Sequence, residues 1–123
     1  MQTDDAPAAI GPYSQGVVAG GLLFCAGQIP LDPASGEIVG GGAAEQARRC
    51  LHNLEAVCAA AGGRLADAVR LTVYLTDLGD WDEVNRVYAE VFAGADPPAR
   101  AAVEVAALPR GARVEVDAVV ALV

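Results

Sequence analysis

The sequence predicts a single α+β domain over residues 1–123, a mixed sheet with two helices on one face, in the chain order ββαβαββ. Three observations predict it. Two stretches, Ala43 to Ala61 and Val84 to Phe92, repeat apolar residues every three or four positions, as amphipathic helices do. Five other runs are short and apolar or alternate with a period of two, as strands do. The 123 residues, 54% of them hydrophobic, suffice for one core and leave no room for a second domain.

After a polar start, Val17 to Ala19 and Leu22 to Ala26 are two apolar runs separated by Gly20-Gly21. A glycine pair adopts the positive φ of hairpin turns without strain, so these runs predict a β-hairpin. Gln28 to Gly42 carries Asp32-Pro33 and Ser35-Gly36 turn signals and ends in three glycines, which predicts a long loop of the kind that often carries function. From Ala43 to Ala61, the residues Ala47, Cys50, Leu51, Leu54, Cys58 and Ala61 form one helical stripe, closed by Gly62-Gly63. Arg48, Arg49, Asn53 and Glu55 fall elsewhere on that helix, with His52 beside them as a solvated imidazole.

Ala68 to Thr76 alternates strictly, with Leu71, Val73 and Leu75 opposite Arg70, Thr72, Tyr74 and Thr76, and reads as a half-buried strand. Asp80 followed by Glu83 resembles a capping box for the second helix, whose stripe is Val84, Val87, Tyr88, Val91 and Phe92 and which ends near Gly94. Pro97-Pro98 forces an extended entry into a strand from Arg100 to Ala107. Leu108 to Gly111 then turns the chain into a last strand from Arg113 to Leu122. Two helices cover one face of such a sheet, and the open face of a largely aliphatic chain predicts a second copy of the protein as its cover.

Sixteen acidic residues against eight basic ones give a net charge of -8, which disfavours nucleic acid as a partner. All the basic residues are arginines, so no lysine is present for Schiff-base or pyridoxal chemistry. Cys25, Cys50, Cys58 and the single His52 lack metal-ligand spacing and read as core residues plus a surface imidazole, with no metal expected. Asp4 and Asp5 stand where a leader would be basic, and no apolar run reaches membrane-spanning length, so the expectation is a soluble, cytoplasmic protein without a membrane partner.

Alternation puts Arg100, Ala102, Glu104 and Ala106 on one face of their strand, and Glu115 and Asp117 opposite Val114, Val116, Ala118 and Val120 on the last one. Were these two strands neighbours, one guanidinium and up to three carboxylates would share a sheet face. The pattern alone leaves two accounts open: a solvated face with weak ion pairs, or a built site. Pro97-Pro98 before Arg100 and Gly11-Pro12 before Tyr13 both lower the entropy of presenting those side chains, which favours a site.

Three ordered motifs carry a resemblance. Ile10-Gly11-Pro12-Tyr13-Ser14-Gln15-Gly16, Phe24-Cys25-Ala26-Gly27-Gln28-Ile29-Pro30 and Pro98-Ala99-Arg100-Ala101-Ala102-Val103-Glu104-Val105 resemble the Rid (YjgF-type) proteins, with Leu108 and Val114-Glu115-Val116 at the spacing that family shows. The resemblance runs from about Ala6 to the C-terminus. It implies a chorismate-mutase-like fold and a homotrimer whose sheets form a central barrel with clefts between subunits. It also implies a cofactor-free hydrolytic deaminase acting on 2-aminoacrylate and related 2-imino and 2-enamino acids. By position, Arg100 matches the arginine that clamps the substrate carboxylate and Glu115 the glutamate that orients water. Tyr13 matches a pocket tyrosine, Asn85 borders the cleft from the second helix, and Gly27 brings backbone close to the substrate.

The chain departs from the family pattern at Ala102, where many members have cysteine, at Ala26, where serine or threonine is commoner, and at Val116. Two other readings share the same anchor: another small-carboxylate enzyme, of chorismate-mutase or aminomuconate-deaminase type, and a trimer that binds small acids or a partner without turnover.

Overall fold

The computed structural model describes residues 1–123. Strands β1 (Gly16–Ala19) and β2 (Leu22–Gln28) form the expected hairpin, turned by Gly20 and Gly21 at φ 59° and 76°. Helix α1 (Ala43–Ala60), strand β3 (Ala68–Leu75), helix α2 (Trp81–Val91) and strands β4 (Ala99–Glu104) and β5 (Val114–Ala121) follow, so the order is ββαβαββ. Strand β4 stops at Glu104, three residues short of the expected end.

The sheet order is β1-β2-β5-β3-β4. Strand β4 runs parallel to β3, with α2 as the crossover that a parallel pair requires, and every other pairing is antiparallel. β3 lies between β4 and β5, so the strands bearing Arg100 and Glu115 are not neighbours and the condition for their sharing a paired face is not met. Local alternation reports which residues share a face of one strand and is silent on which strand lies next to it.

One core holds the fold together. Leu71, Val73 and Leu75 of β3, Val114, Val116 and Val120 of β5 and Leu23 of β2 pack against Cys50, Leu54, Val57 and Cys58 of α1 and Val84, Val87, Tyr88 and Phe92 of α2. Full burial of a leucine or valine contributes about 1.5–3 kcal/mol, so this sheet face and the two helices stabilise each other. The three thiols are free and buried in this core. Val91, expected in the stripe of α2, is 40% exposed.

Two polar residues serve the core differently from expectation. Asn53, grouped above with the surface positions of α1, is completely buried and donates from Nδ2 to the carbonyls of Ile29 and Leu31, at 3.4 and 3.0 Å. It thereby ties the long loop to the helix, while a Leu31–Ile38 bridge and the Asp32 carboxylate, accepting from Ala34 N at 2.8 Å, shape the loop internally. Asp80 forms no capping box: its carboxylate accepts from Arg113 Nη2 at 2.8 Å, joining the start of α2 to the residue that leads into β5. His52 is exposed, as expected.

The opposite face of the sheet is uncovered in one chain. Val17 and Phe24 on it are 53% and 45% exposed, and β4, an edge strand, is exposed along nearly its whole length. No helix is long and apolar enough to cross a membrane.

Candidate functional site

The residues singled out in the sequence gather into two groups. Tyr13, Gly27 and Glu115 line one cleft together with Pro7, Ile10 and Pro109, with a cavity volume of about 70 Å³. A β-bulge builds its floor. Between the Cys25–Ala118 and Gln28–Val116 pairs, Ala26 and Gly27 of β2 face the single Asp117 of β5, which kinks β2 and turns the Gly27 backbone toward Glu115. A Cβ on Gly27 would collide with Glu115 Oε2 and lie 3.1 Å from its Cδ, so only glycine lets the carboxylate rest there.

Glu115 is half-buried, and burial, followed by the nearby Asp117 charge, pushes its carboxyl above the usual carboxylate range. Asp117 is itself tied down by the Tyr74 hydroxyl, which donates to its Oδ2 at 2.9 Å. Buried Gln15 fixes the wall above. It donates from Nε2 to the Pro7 carbonyl at 2.8 Å and the Thr3 carbonyl at 3.0 Å, and accepts from Thr3 N at 2.8 Å. Tyr13 is half exposed, its hydroxyl accepting from Ile10 N at 3.3 Å.

The second group is Arg100 and Asn85. Arg100 Nη1 donates to Asn85 Oδ1 at 2.8 Å. The guanidinium carbon lies 4.6 Å from the ring centroid of Trp81 and 4.6 Å from that of Tyr88, both within cation–π range. Trp81, Asn85 and Tyr88 stand four and three residues apart on α2 and so share one helix face. Arg100 belongs to none of the chain's four ion pairs, so its partners are all neutral.

The two groups do not meet within one chain. Arg100 is level with Leu71 of β3, and Leu71 points into the helix-covered core. Glu115 is level with Tyr74, on the opposite face. The common face that neighbouring strands would have allowed is therefore absent: β3 lies between them, and the register turns Arg100 and Glu115 to opposite faces. Sequence reasoning also missed Trp81 and Gln15. Trp81 left a signal in its spacing from Asn85 and Tyr88, whereas the role of Gln15 depends on contacts with the N-terminal segment that no local pattern marks. No three His, Cys, Asp or Glu side chains are arranged to hold a metal ion.

Comparison with known proteins gives this geometry a context. The family profile described as Endoribonuclease L-PSP matches residues 3–122. The RutC family protein y4sK of Sinorhizobium fredii is 53% identical over 122 residues, spanning 99% of this chain and 96% of that protein. A protein of Mus musculus named 2-iminobutanoate/2-iminopropanoate deaminase is 48% identical over 119 residues, spanning 97% of this chain and 87% of that protein. Among solved structures, E. coli TdcF with bound serine superposes with a TM-score of 0.93 at 42% identity, covering 98% of this chain and 95% of that one.

Proposed function

Because the chain belongs to the YjgF/Rid family, the family described as Endoribonuclease L-PSP, we propose that it hydrolyses reactive 2-imino and 2-enamino acids, such as 2-aminoacrylate, to 2-oxo acids and ammonia. The observation that carries this reading is Arg100: a cation with no carboxylate partner, held by neutral groups only. Such an arginine is prepared for a small anion, and its planar fork of donors matches a carboxylate. The relatives named as iminobutanoate and iminopropanoate deaminases supply the substrate class. The endoribonuclease description fits less well, since a net charge of -8 opposes the phosphate attraction on which RNA binding depends.

In this mechanism the substrate enters as a 2-imino acid, its carboxylate paired with Arg100. Glu115 accepts a proton from a water as that water attacks the imine carbon. With the imine nitrogen protonated, this attack leaves a tetrahedral carbon that carries both hydroxyl and amine; Glu115 returns its proton to the amine, the C–N bond breaks as the C=O bond forms, and the hydroxyl proton passes to Glu115 and then to solvent as ammonia leaves. The raised carboxyl of Glu115 suits both steps, because a base whose pKa lies closer to the working pH also returns its proton readily. Gly27 keeps space beside the carboxylate, and Tyr13 and Asn85 border the bound acid. Positioning supplies most of the acceleration, as the free imine is already hydrolysable.

Arg100 and Glu115 lie on opposite faces of their own sheet, so a working site needs the Arg100 of one subunit beside the Tyr13, Gly27 and Glu115 cleft of another. The exposed β4 strand and the exposed Val17 and Phe24 of the open face support such an assembly, which we propose is a closed trimer. Turnover is tested by coupling a serine or threonine dehydratase to semicarbazide trapping. The protein is expected to divert the imine from semicarbazone to the 2-oxo acid, with the effect lost in Arg100→Ala. Identical behaviour of wild type and Arg100→Ala would refute the reading.

A further inference from the structure

We propose that Trp81 and Tyr88 are positioning residues that hold the Arg100 guanidinium in a fixed orientation without neutralising it, keeping its N–H edge open to a planar carboxylate. This rests on Arg100 being the carboxylate anchor. An arginine can be immobilised in two ways. A carboxylate partner fixes it well but occupies the donors and cancels the charge that a substrate needs. Aromatic faces attract the guanidinium through the ring quadrupole and leave its in-plane donors free.

This chain uses the second way. The guanidinium carbon is 4.6 Å from each of the two ring centroids, and Asn85, between them on the helix, takes a single donor. Arg48, Arg64 and Arg113 are each paired with acidic side chains; Arg49, Arg70, Arg86 and Arg110 also lack an ion pair, but Arg100 alone lies over aromatic rings. The Tyr88 ring is seated by the core: it packs on Phe92 with centroids 4.7 Å apart, and its buried hydroxyl has no hydrogen-bond partner. What Tyr88 contributes here is therefore its ring. Burial pushes its phenol up despite the neighbouring Arg100 charge, so it stays neutral beside the cation. The result is a preorganised anion receptor, in which less side-chain freedom is lost on binding.

Trp81 is the only tryptophan, so its emission reports on the clamp directly. Titration of 2-oxobutanoate, a stable carboxylate of the product class, is expected to change the emission saturably, and its neutral amide is not. By calorimetry, Trp81→Leu and Tyr88→Leu are each expected to weaken 2-oxobutanoate binding roughly threefold to thirtyfold. Trp81→Phe and Tyr88→Phe should recover most of that loss, and KM for the imine should rise in step with Kd while kcat changes less. Folded leucine variants with wild-type affinity would overturn the proposal. So would wild-type emission that ignores carboxylate shown by calorimetry to be bound, or failure of the wild type to bind it, readouts that need no variant to fold. Clamp-dependent binding without imine turnover would sink the deaminase reading and leave the clamp standing. Turnover that needs Arg100 but is indifferent to both leucine variants would do the reverse.

Discussion

Substituting Gly27 by alanine separates the chemistry of Glu115 from its packing. The added Cβ would overlap Glu115 Oε2, lie 3.1 Å from Cδ and 3.4 Å from Cγ, so the carboxylate has to swing away while the rest of the side chain stays. Gly27 is not among the glycines with positive φ, so alanine adds no backbone strain there. The atom displaced is the far end of a half-buried, flexible side chain, and the expected cost is below the roughly 1–3 kcal/mol of true core overpacking. For a domain of this size that corresponds to a fall in Tm of less than about 5 °C. A catalytic group displaced by ~1 Å, however, costs on the order of 100-fold in rate. The dehydratase-coupled trapping assay on Gly27→Ala should thus show kcat reduced on the order of 100-fold in a protein that melts almost like wild type. Full turnover by the folded variant would show that Glu115 does not act from its place beside Gly27.

Three further outcomes follow from the buried and half-buried polar groups. Glu115→Gln is expected to cut kcat by about 10²–10⁴-fold, the usual contribution of a positioned base, while retaining 2-oxo acid binding. The same substitution should raise stability at neutral pH. The folded-state carboxyl is raised, so its stabilising contribution is complete below the ordinary value near 4.3 and is lost as pH rises through the raised one; the Tm difference between Glu115→Gln and wild type should be present at pH 7 and close toward pH 4, and a difference that grows with acidity would contradict this. Asn53→Ala leaves the Leu31 carbonyl without its donor in the core, while the Ile29 carbonyl keeps Leu31 N at 2.7 Å, and should destabilise the chain by about 1–3 kcal/mol, measured by urea unfolding; a loss under about 0.5 kcal/mol would mean that water satisfies the freed group.

Much of the fold was legible because its signals are local. The period of two in Ala68 to Thr76, the apolar stripes of both helices and the Gly20-Gly21 turn each depend on neighbours within a few positions. What was not legible depends on distant partners. Asn53 looks like a surface residue until the carbonyls of Ile29 and Leu31, 24 and 22 residues away, are found beside it. Asp80 looks like a helix cap until Arg113, 33 residues away, takes its carboxylate. The strand order β5-β3-β4 is a long-range property too, and with the register it places Arg100 and Glu115 on opposite faces, which alternation within each strand left undecided. Motif resemblance pointed to Arg100, Glu115, Tyr13, Gly27 and Asn85, but the contacts of Trp81 and Tyr88 with Arg100, and of Gln15 with the cleft residue Pro7, emerge only from the structure.

The proposed site is divided between copies, because Arg100 and Glu115 face opposite sides of the sheet within each chain. Mixing Arg100→Ala subunits with Glu115→Gln subunits, with dissociation and reassembly, tests this directly. In a closed ring of randomly mixed subunits, about one quarter of the interfaces unite an intact Arg100 with an intact Glu115, so the mixture should recover about a quarter of wild-type turnover although each variant alone is nearly inactive. Turnover no greater than the average of the two separate variants, in particles shown to contain both, would contradict a shared site.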